Sequence, residues 1–449
     1  MTIFNQNTRK AGLLRMFSTI AALALLVITP AAQAAIDGVT GDTFNLTAGA
    51  GYISIADGGS VYSWGYSANG EAMQLPGPTL IVNQNDIVTV TLHNGLPAAA
   101  GNVSIVFPGH VVTSDGGEPG LLTAEAATGG SVTYTFTADK PGTYQYHSGT
   151  RPDLQVEMGL YGAIIVRPAT AGCAYNQADT CFDREHLFLL SEIDIDIHRA
   201  AEAQVSGPGP IDIGTGSYHS EYWMINGRAA PDTMAAAGRA ELPHQPYNIM
   251  PRMHPGEKLL LRVVGAGREM HPFHTHGNHA RLLARDGRPL LTEGGSLAGP
   301  LLFTIPSVPG GTADAIFEWT GQDLGWDIYG SDITHAHLCN GKAFDEAQDT
   351  DPVAPEFDPV THEYCADHGK AIPVTLPSLS SLGFGGFYSG SPYLGGMGSL
   401  PPGEGGLNPN AGFSYMWHSH TEREMVNNDV FPGGMMTMLI VEASDVPID

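Results

Sequence analysis

Five of the chain's histidines fall in two short runs, His271-Pro-Phe-His274-Thr-His276-Gly277 and Trp417-His418-Ser419-His420. Histidines two apart on an extended strand put their rings on one face, about 7 Å apart along the backbone. Two such strands laid side by side direct four imidazoles into one space, and imidazole suits copper or zinc. The spacing therefore predicts a metal centre built from His274, His276, His418 and His420, with His271 orienting a neighbour or binding a second ion. Ordinary core histidines fit less well, because five clustered imidazoles are costly to bury without a shared partner.

Other groups near these runs read as structural. Glu422, Glu424 and Asp429 could offer hard oxygen ligands, but in so acidic a chain they are expected to be solvated carboxylates. Met435, Met436 and Met438 sit on a final apolar strand and are expected to pack in the core. The segments His335-Ala-His337-Leu-Cys339 and His362-Glu-Tyr-Cys365-Ala-Asp-His368 have the look of a zinc knot. In an exported chain, a disulfide flanked by histidines is the favoured reading.

The elements that must position these residues are short strands with alternating apolar character, at 79–93, 131–137, 163–166, 187–193, 258–264, 312–319 and 435–442. Turn residues separate them, and Gly (57) and Pro (32) are plentiful, which points to antiparallel β-sandwiches. The order of strand, glycine turn, strand and histidine loop occurs twice: once through Pro76-Gly77-Pro78 to Tyr146-His147, and again from Glu185 to the final Trp417-His418-Ser419-His420. An internal repeat of this kind implies two domains of like plan. The expected division is a leader at 1–34, a first domain at 35–170 and a second at 171–449. A loop-rich, acidic insertion at about 322–411 interrupts the second.

With the two histidine runs in this order, the chain resembles the multicopper oxidases, whose C-terminal motifs read HxxHxH and HCH. The resemblance covers nearly the whole chain after the leader. It implies an all-β fold of two cupredoxin-like Greek-key β-sandwich domains, similar to two-domain laccases and copper nitrite reductases. It also implies copper as cofactor, and a small-molecule or metal-ion electron donor with oxygen as partners. By position, His271 falls on a type 1 copper ligand, His274 on a type 2 ligand, and His276, His418 and His420 on ligands of the binuclear pair.

Departures from that pattern shape the expected chemistry. Ser419 stands at the type 1 thiolate position, Glu424 at the following histidine and Asp429 at the axial methionine. In the first domain, Val106 and Pro108 replace two ligands of the family's S-I-H-W-H-G motif, and Tyr146-His147-Ser148-Gly149 keeps one histidine of Y-H-S-H. Ser148, Gln155 and Leu160 occupy the type 1 positions that nitrite reductases use there, so neither domain can build a blue site. His110 is nearby but reads as structural. The retained set, His147, His274, His276, His418 and His420, suits one copper or a water-completed pair. Laccase-type four-electron reduction of oxygen is not expected. In two-domain relatives the cluster forms between subunits of a trimer, which makes a homotrimer the implied assembly and would bring His147 to the other four across a subunit boundary. The runner-up reading is a non-catalytic copper-binding or structural envelope protein. No G-x-S-x-G nucleophile motif supports a hydrolase.

Composition narrows the setting. Arg9, Lys10 and Arg15 precede an apolar run and an Ala32-Gln33-Ala34 cleavage site, so 1–34 reads as a signal peptide and the protein as periplasmic or secreted. No later apolar stretch reaches the roughly 20 residues a membrane span needs. The formal charge of −26 is set against nucleic acid and anionic lipid. Four cysteines suit an oxidising compartment, and local loop closure favours Cys173 with Cys181 and Cys339 with Cys365.

Overall fold

The computed structural model describes residues 36–322, 357–365, 413–442 and 446–448, with the backbone alone of Leu338–Cys339, Lys342–Ala343 and Gly390–Ser391. The proposed leader at 1–34 and most of the 322–411 insertion, including His335, His337 and His368, lie outside the described residues.

Alternation of apolar side chains produces the sheets. In Ile87–Asn94 the residues Val88, Val90 and Leu92 are buried, and in Ser131–Thr137 Val132, Tyr134 and Phe136 are, so each strand turns one face inward. These strands belong to a five-stranded sheet in the order Ser60–Ala68, Thr43–Ser54, Ile87–Asn94, Ser131–Thr137, Val112–Gly116. A four-stranded sheet, Val39–Thr40, Leu80–Asn83, Tyr161–Arg167, Gly142–His147, faces it across a core of Trp64, Tyr66, Leu80, Tyr134, Tyr146 and Ile164. A second pair of sheets follows. One runs Tyr222–Ile225, Arg184–Ile193, Lys258–Gly265, Thr312–Glu318, Ala280–Arg285, Arg288–Pro289. The other runs Arg252–Met253, Met436–Val441, Phe413–Ser419, His271–His274, Thr304–Ser307. Phe188, Leu261, Phe273, Phe317, Trp319 and Trp417 fill the space between them. The architecture is the expected all-β double sandwich.

The sheets are mixed rather than purely antiparallel. Thr43–Ser54 runs parallel to Ile87–Asn94, Leu80–Asn83 to Tyr161–Arg167, and Arg184–Ile193 to Lys258–Gly265. Each parallel pair joins strands separated by a long crossover, which Greek-key connections supply and hairpins cannot. One element absent from the sequence reading is the helix Ile195–Gln204. Its cap is Asp194, whose side chain accepts hydrogen bonds from Asp196 N and Ile197 N.

The two sandwiches are joined by an apolar seam and a buried ionic one. Ile81, Ile165, Leu189, Met224 and Val264 share one cluster. Beside it, Arg262 Nε donates to Glu185 at 2.9 Å and its Nη1 to Thr143 Oγ1 at 3.0 Å, while Tyr175 Oη donates to Asp314 at 2.6 Å. Each charge has a partner, as burial requires. A disulfide closes Cys173 to Cys181, and Cys365 is also disulfide-bonded. Met435 and Met436 are buried core residues, as their strand position suggested.

Candidate metal centre

Strand pairing creates the site. His271–His274 lies antiparallel to Phe413–Ser419, with Phe273 opposite Ser419 and His274 opposite His418. The pleat sends Phe273, Trp417 and Ser419 inward and His274 and His418 to the other face. His276 and His420 follow just beyond the strand ends. The four imidazoles converge: ring centroids are 4.7 Å apart for His274 and His276, 4.8 Å for His274 and His420, 5.2 Å for His276 and His418, and 5.6 Å for His418 and His420. One ligand atom from each of His274, His276 and His418 lies within 4.8 Å of the others.

Neighbouring groups fix which nitrogen each ring presents. His274 Nδ1 bonds Thr304 Oγ1 at 2.8 Å, and His418 Nδ1 donates to its neighbour's carbonyl, Ser419 O, at 2.7 Å. His420 Nδ1 lies 3.2 Å from a Glu422 carboxylate oxygen. Tying up Nδ1 leaves Nε2 as the ligating atom, the usual arrangement behind a metal-binding imidazole. Nε2 of His276 and Nε2 of His418 are 3.2 Å apart. That separation matches two bonds of about 2.0–2.1 Å to one ion at a near-tetrahedral angle. Burial, then the positive potential of the other three imidazoles, pushes the His274 pKa down to about 3, and burial lowers that of His418. Both rings are therefore neutral at physiological pH, the state a metal needs. The donor set fits copper.

His271, expected to orient a neighbour or bind a second ion, does not join this cluster. It lies three residues before His274 on the strand, so the pleat turns it to the opposite, inward face. There Nδ1 bonds Glu424 Oε2 at 2.9 Å and Nε2 bonds Glu192 Oε2 at 2.8 Å. Burial lowers the imidazole pKa, but the two carboxylates outweigh it and push it up to about 9. With both nitrogens protonated, His271 offers no lone pair. Glu424 is correspondingly buried rather than solvated, whereas Glu422 and Asp429 are exposed as expected.

His147 is not among the residues whose ligand atoms converge. It ends the strand Gly142–His147, and its Nδ1 donates to Ser148 O at 3.0 Å. The first-domain positions beside it are closed by protein contacts: Ser148 Oγ donates to Gln155 Oε1 at 2.6 Å, and Gln155 Nε2 to Asn102 O at 2.8 Å. His110 is structural, its ring held between Phe136 and Tyr144 at 4.5 Å from each, and burial takes its pKa down to about 4.

Three contributors escaped the sequence reading. Glu192 is distant in sequence and lies on Arg184–Ile193, Thr304 orients His274, and Trp417 Nε1 donates to His276 O at 2.9 Å. Only the last carried a local signal, its adjacency to His418.

Comparison with known proteins agrees with the fold. Residues 52–171 match the family described as multicopper oxidase. A laccase 1 of Metarhizium majus (strain ARSEF 297) is 31% identical over 159 residues, covering 34% of this chain and 23% of that protein. Copper resistance protein A of Pseudomonas syringae pv. tomato is 33% identical over 119 residues, 26% of this chain and 18% of that one. The matched stretch thus spans about a quarter or less of these relatives. Among solved structures, the multicopper oxidase mgLAC superposes over 91% of this chain and 87% of its own, with TM-score 0.52 and 18% identity. The blue copper oxidase of Nitrosomonas europaea covers 88% and 85%, also with TM-score 0.52 and 18% identity. These two share the fold. Residues 52–171 thus resemble a multicopper oxidase domain, and the chain as a whole shares the fold of these oxidases.

Proposed function

We propose that this protein is a copper-dependent oxidoreductase with a reduced copper centre, type 2 or binuclear, held by His274, His276, His418 and His420, and without type 1 copper. The convergence of three ligand atoms within 4.8 Å, with Nδ1 of two of the rings already engaged, carries the reading. Copper, when bound, supplies one-electron exchange with a small-molecule or metal-ion donor and with oxygen. The chain's own residues hold and orient it: Thr304 and the Ser419 carbonyl fix ring tautomers, and Trp417 anchors the His276 backbone. His276 and exposed His420 form the accessible side. Phe303 packs against both His274 and His279, and His279 lines, with Asn278, Arg281, Leu301 and Glu318, a cleft of about 550 Å³ that offers a donor a place to dock.

A homotrimer is part of this proposal. Val111, Leu121 and Leu122 are exposed on the first sandwich, where Leu122 lies near Gly149, two residues past His147; Met270 and Phe303 are exposed beside the histidine cluster. Covering such apolar surface by head-to-tail contact between copies would bring His147 of one copy toward the cluster of another. Export to the periplasm or outside the cell accords with the Cys173–Cys181 disulfide, and no described helix is long and apolar enough to cross a membrane.

Metal analysis with electron paramagnetic resonance on copper-loaded protein tests the reading. A type 2 signal lost in a His418→Ala, His420→Ala variant supports it; less than about a tenth of a copper per chain refutes it. A second reading, a non-catalytic copper-binding or structural envelope protein, is favoured by one observation: Ser148–Gln155 and His271–Glu424 close both type 1 positions with direct hydrogen bonds. Copper-dependent turnover of a phenol or metal-ion donor would exclude it.

A further inference from the structure

Glu192, His271 and Glu424 form a buried bridge in which none of the three side chains is more than 4% exposed. Burying charged groups this way is a poor route to stability, since apolar residues of similar volume often do as well or better. The bridge instead lies where the metal-bearing loops meet. Glu192 accepts hydrogen bonds from His271 and from the backbone N of Arg268 and Glu269, gathering the loop that leads into His271–His274. Gly267 makes that packing possible, because a Cβ there would collide with the Glu192 carboxylate. On the other side, Glu424 lies in the turn Glu422–Met425, four residues past His420, and its carbonyl accepts from Met435 N at 2.7 Å. His420 N donates to Pro272 O at 2.8 Å, so the segment from His420 to Glu424 is clamped to the His271 strand at both ends. Imidazole alone among side chains presents two N–H donors in fixed, divergent directions from one rigid ring.

We propose that the Glu192–His271–Glu424 bridge is a metal-free strut that positions the copper centre, setting where His420 and its turn stand relative to His274 and His418. The inference rests on the copper-binding function proposed above. Its residues act through the ligands and do not touch the metal.

The test is copper titration and electron paramagnetic resonance on the full chain, wild type beside Glu424→Ala and Glu424→Gln. Glu424→Ala is expected to bind copper at least tenfold more weakly, with altered hyperfine splitting. Glu424→Gln, which keeps an acceptor for His271 Nδ1, is expected to restore the wild-type spectrum. If Glu424→Ala does not fold, Glu424→Asp, which withdraws the carboxylate by one methylene, should shift the spectrum the same way but less. Copper binding in the wild type with an unchanged spectrum in folded Glu424→Ala, or in Glu424→Asp where that replaces it, overturns the strut alone. No copper in the wild type overturns the metal centre, and the strut with it.

Discussion

Nδ1 of His271 stands 2.9 Å from Oε2 of Glu424, although 153 residues separate them in the chain. The contact joins two positions that in the resembled family both serve type 1 copper, and Glu192 closes the other side of the ring at 2.8 Å. The imidazole thus stands between two buried carboxylates.

The His271 pKa rises from an ordinary 6.5 to about 9 in the fold, so its stabilising contribution is complete below about pH 6.5 and is lost as pH climbs through 9. The contribution is on the order of 3 kcal/mol. Burial raises the Glu157 carboxyl to about 8, which also lowers stability as pH rises between its unfolded value and 8, so the wild-type slope alone is ambiguous. Denaturant unfolding of wild type and His271→Gln between pH 6 and 10 separates the two. The variant should be less stable at pH 6 and show a shallower decline. Equal slopes would contradict a cationic His271.

Much of the centre could be read from the chain because β-structure has a period of two. His274 with His276 and His418 with His420 obey that period, and the pairing of Phe273 with Ser419 brings the two sets together. The same rule explains the misplacement of His271: an odd spacing of three within the strand puts it on the Phe273 face, a signal present in the sequence but overridden by motif resemblance. Glu192 had no local signal, since only the tertiary pairing of distant strands brings it to the imidazole. Glu424 was obscured by the many acidic residues around it, which made solvation the reasonable expectation. The mixed sheets were equally hidden, because burial alternation reports which face of a strand is inward and not the direction of its neighbour.

A cysteine at position 419 alone should not create a blue centre. A blue site needs two imidazoles and a thiolate in one trigonal set. His271 has both nitrogens engaged, and a carboxylate occupies the place of the second imidazole. Copper-loaded Ser419→Cys is expected to lack the intense blue absorption, and its appearance would mean that the bridge yields readily to metal.

In the first domain, Gln155→Ala should cost stability without affecting metal. Gln155 is buried, accepts from Ser148 Oγ at 2.6 Å and donates to Asn102 O at 2.8 Å. Truncation leaves the Asn102 carbonyl without its amide donor, worth about 1–3 kcal/mol, while the Ser148 hydroxyl keeps its hydrogen bonds to Thr150. Urea unfolding should show that loss while copper per chain stays at the wild-type value. A parallel fall in copper would give the first domain a part in the centre that these contacts do not show.

Trp417 couples core packing to the metal centre. Its ring is fully buried against Phe317, Phe188 and Phe273, with centroids 5.0, 6.0 and 6.4 Å away, and its Nε1 donates to the His276 carbonyl at 2.9 Å. His276 lies two residues beyond the end of the strand His271–His274, so this side-chain donor takes over where the ladder to Phe413–Ser419 stops. Trp417→Phe keeps an aromatic ring in the core but removes the N–H, leaving that carbonyl without its indole partner. Stability should fall by about 1–3 kcal/mol, with the loss of ring volume adding to it. Because His276 presents Nε2 3.2 Å from that of His418, a small backbone shift alters the angle at which the two address one ion. The electron paramagnetic resonance of copper-loaded Trp417→Phe should therefore change even if copper still binds. An unchanged spectrum with reduced stability would confine Trp417 to packing.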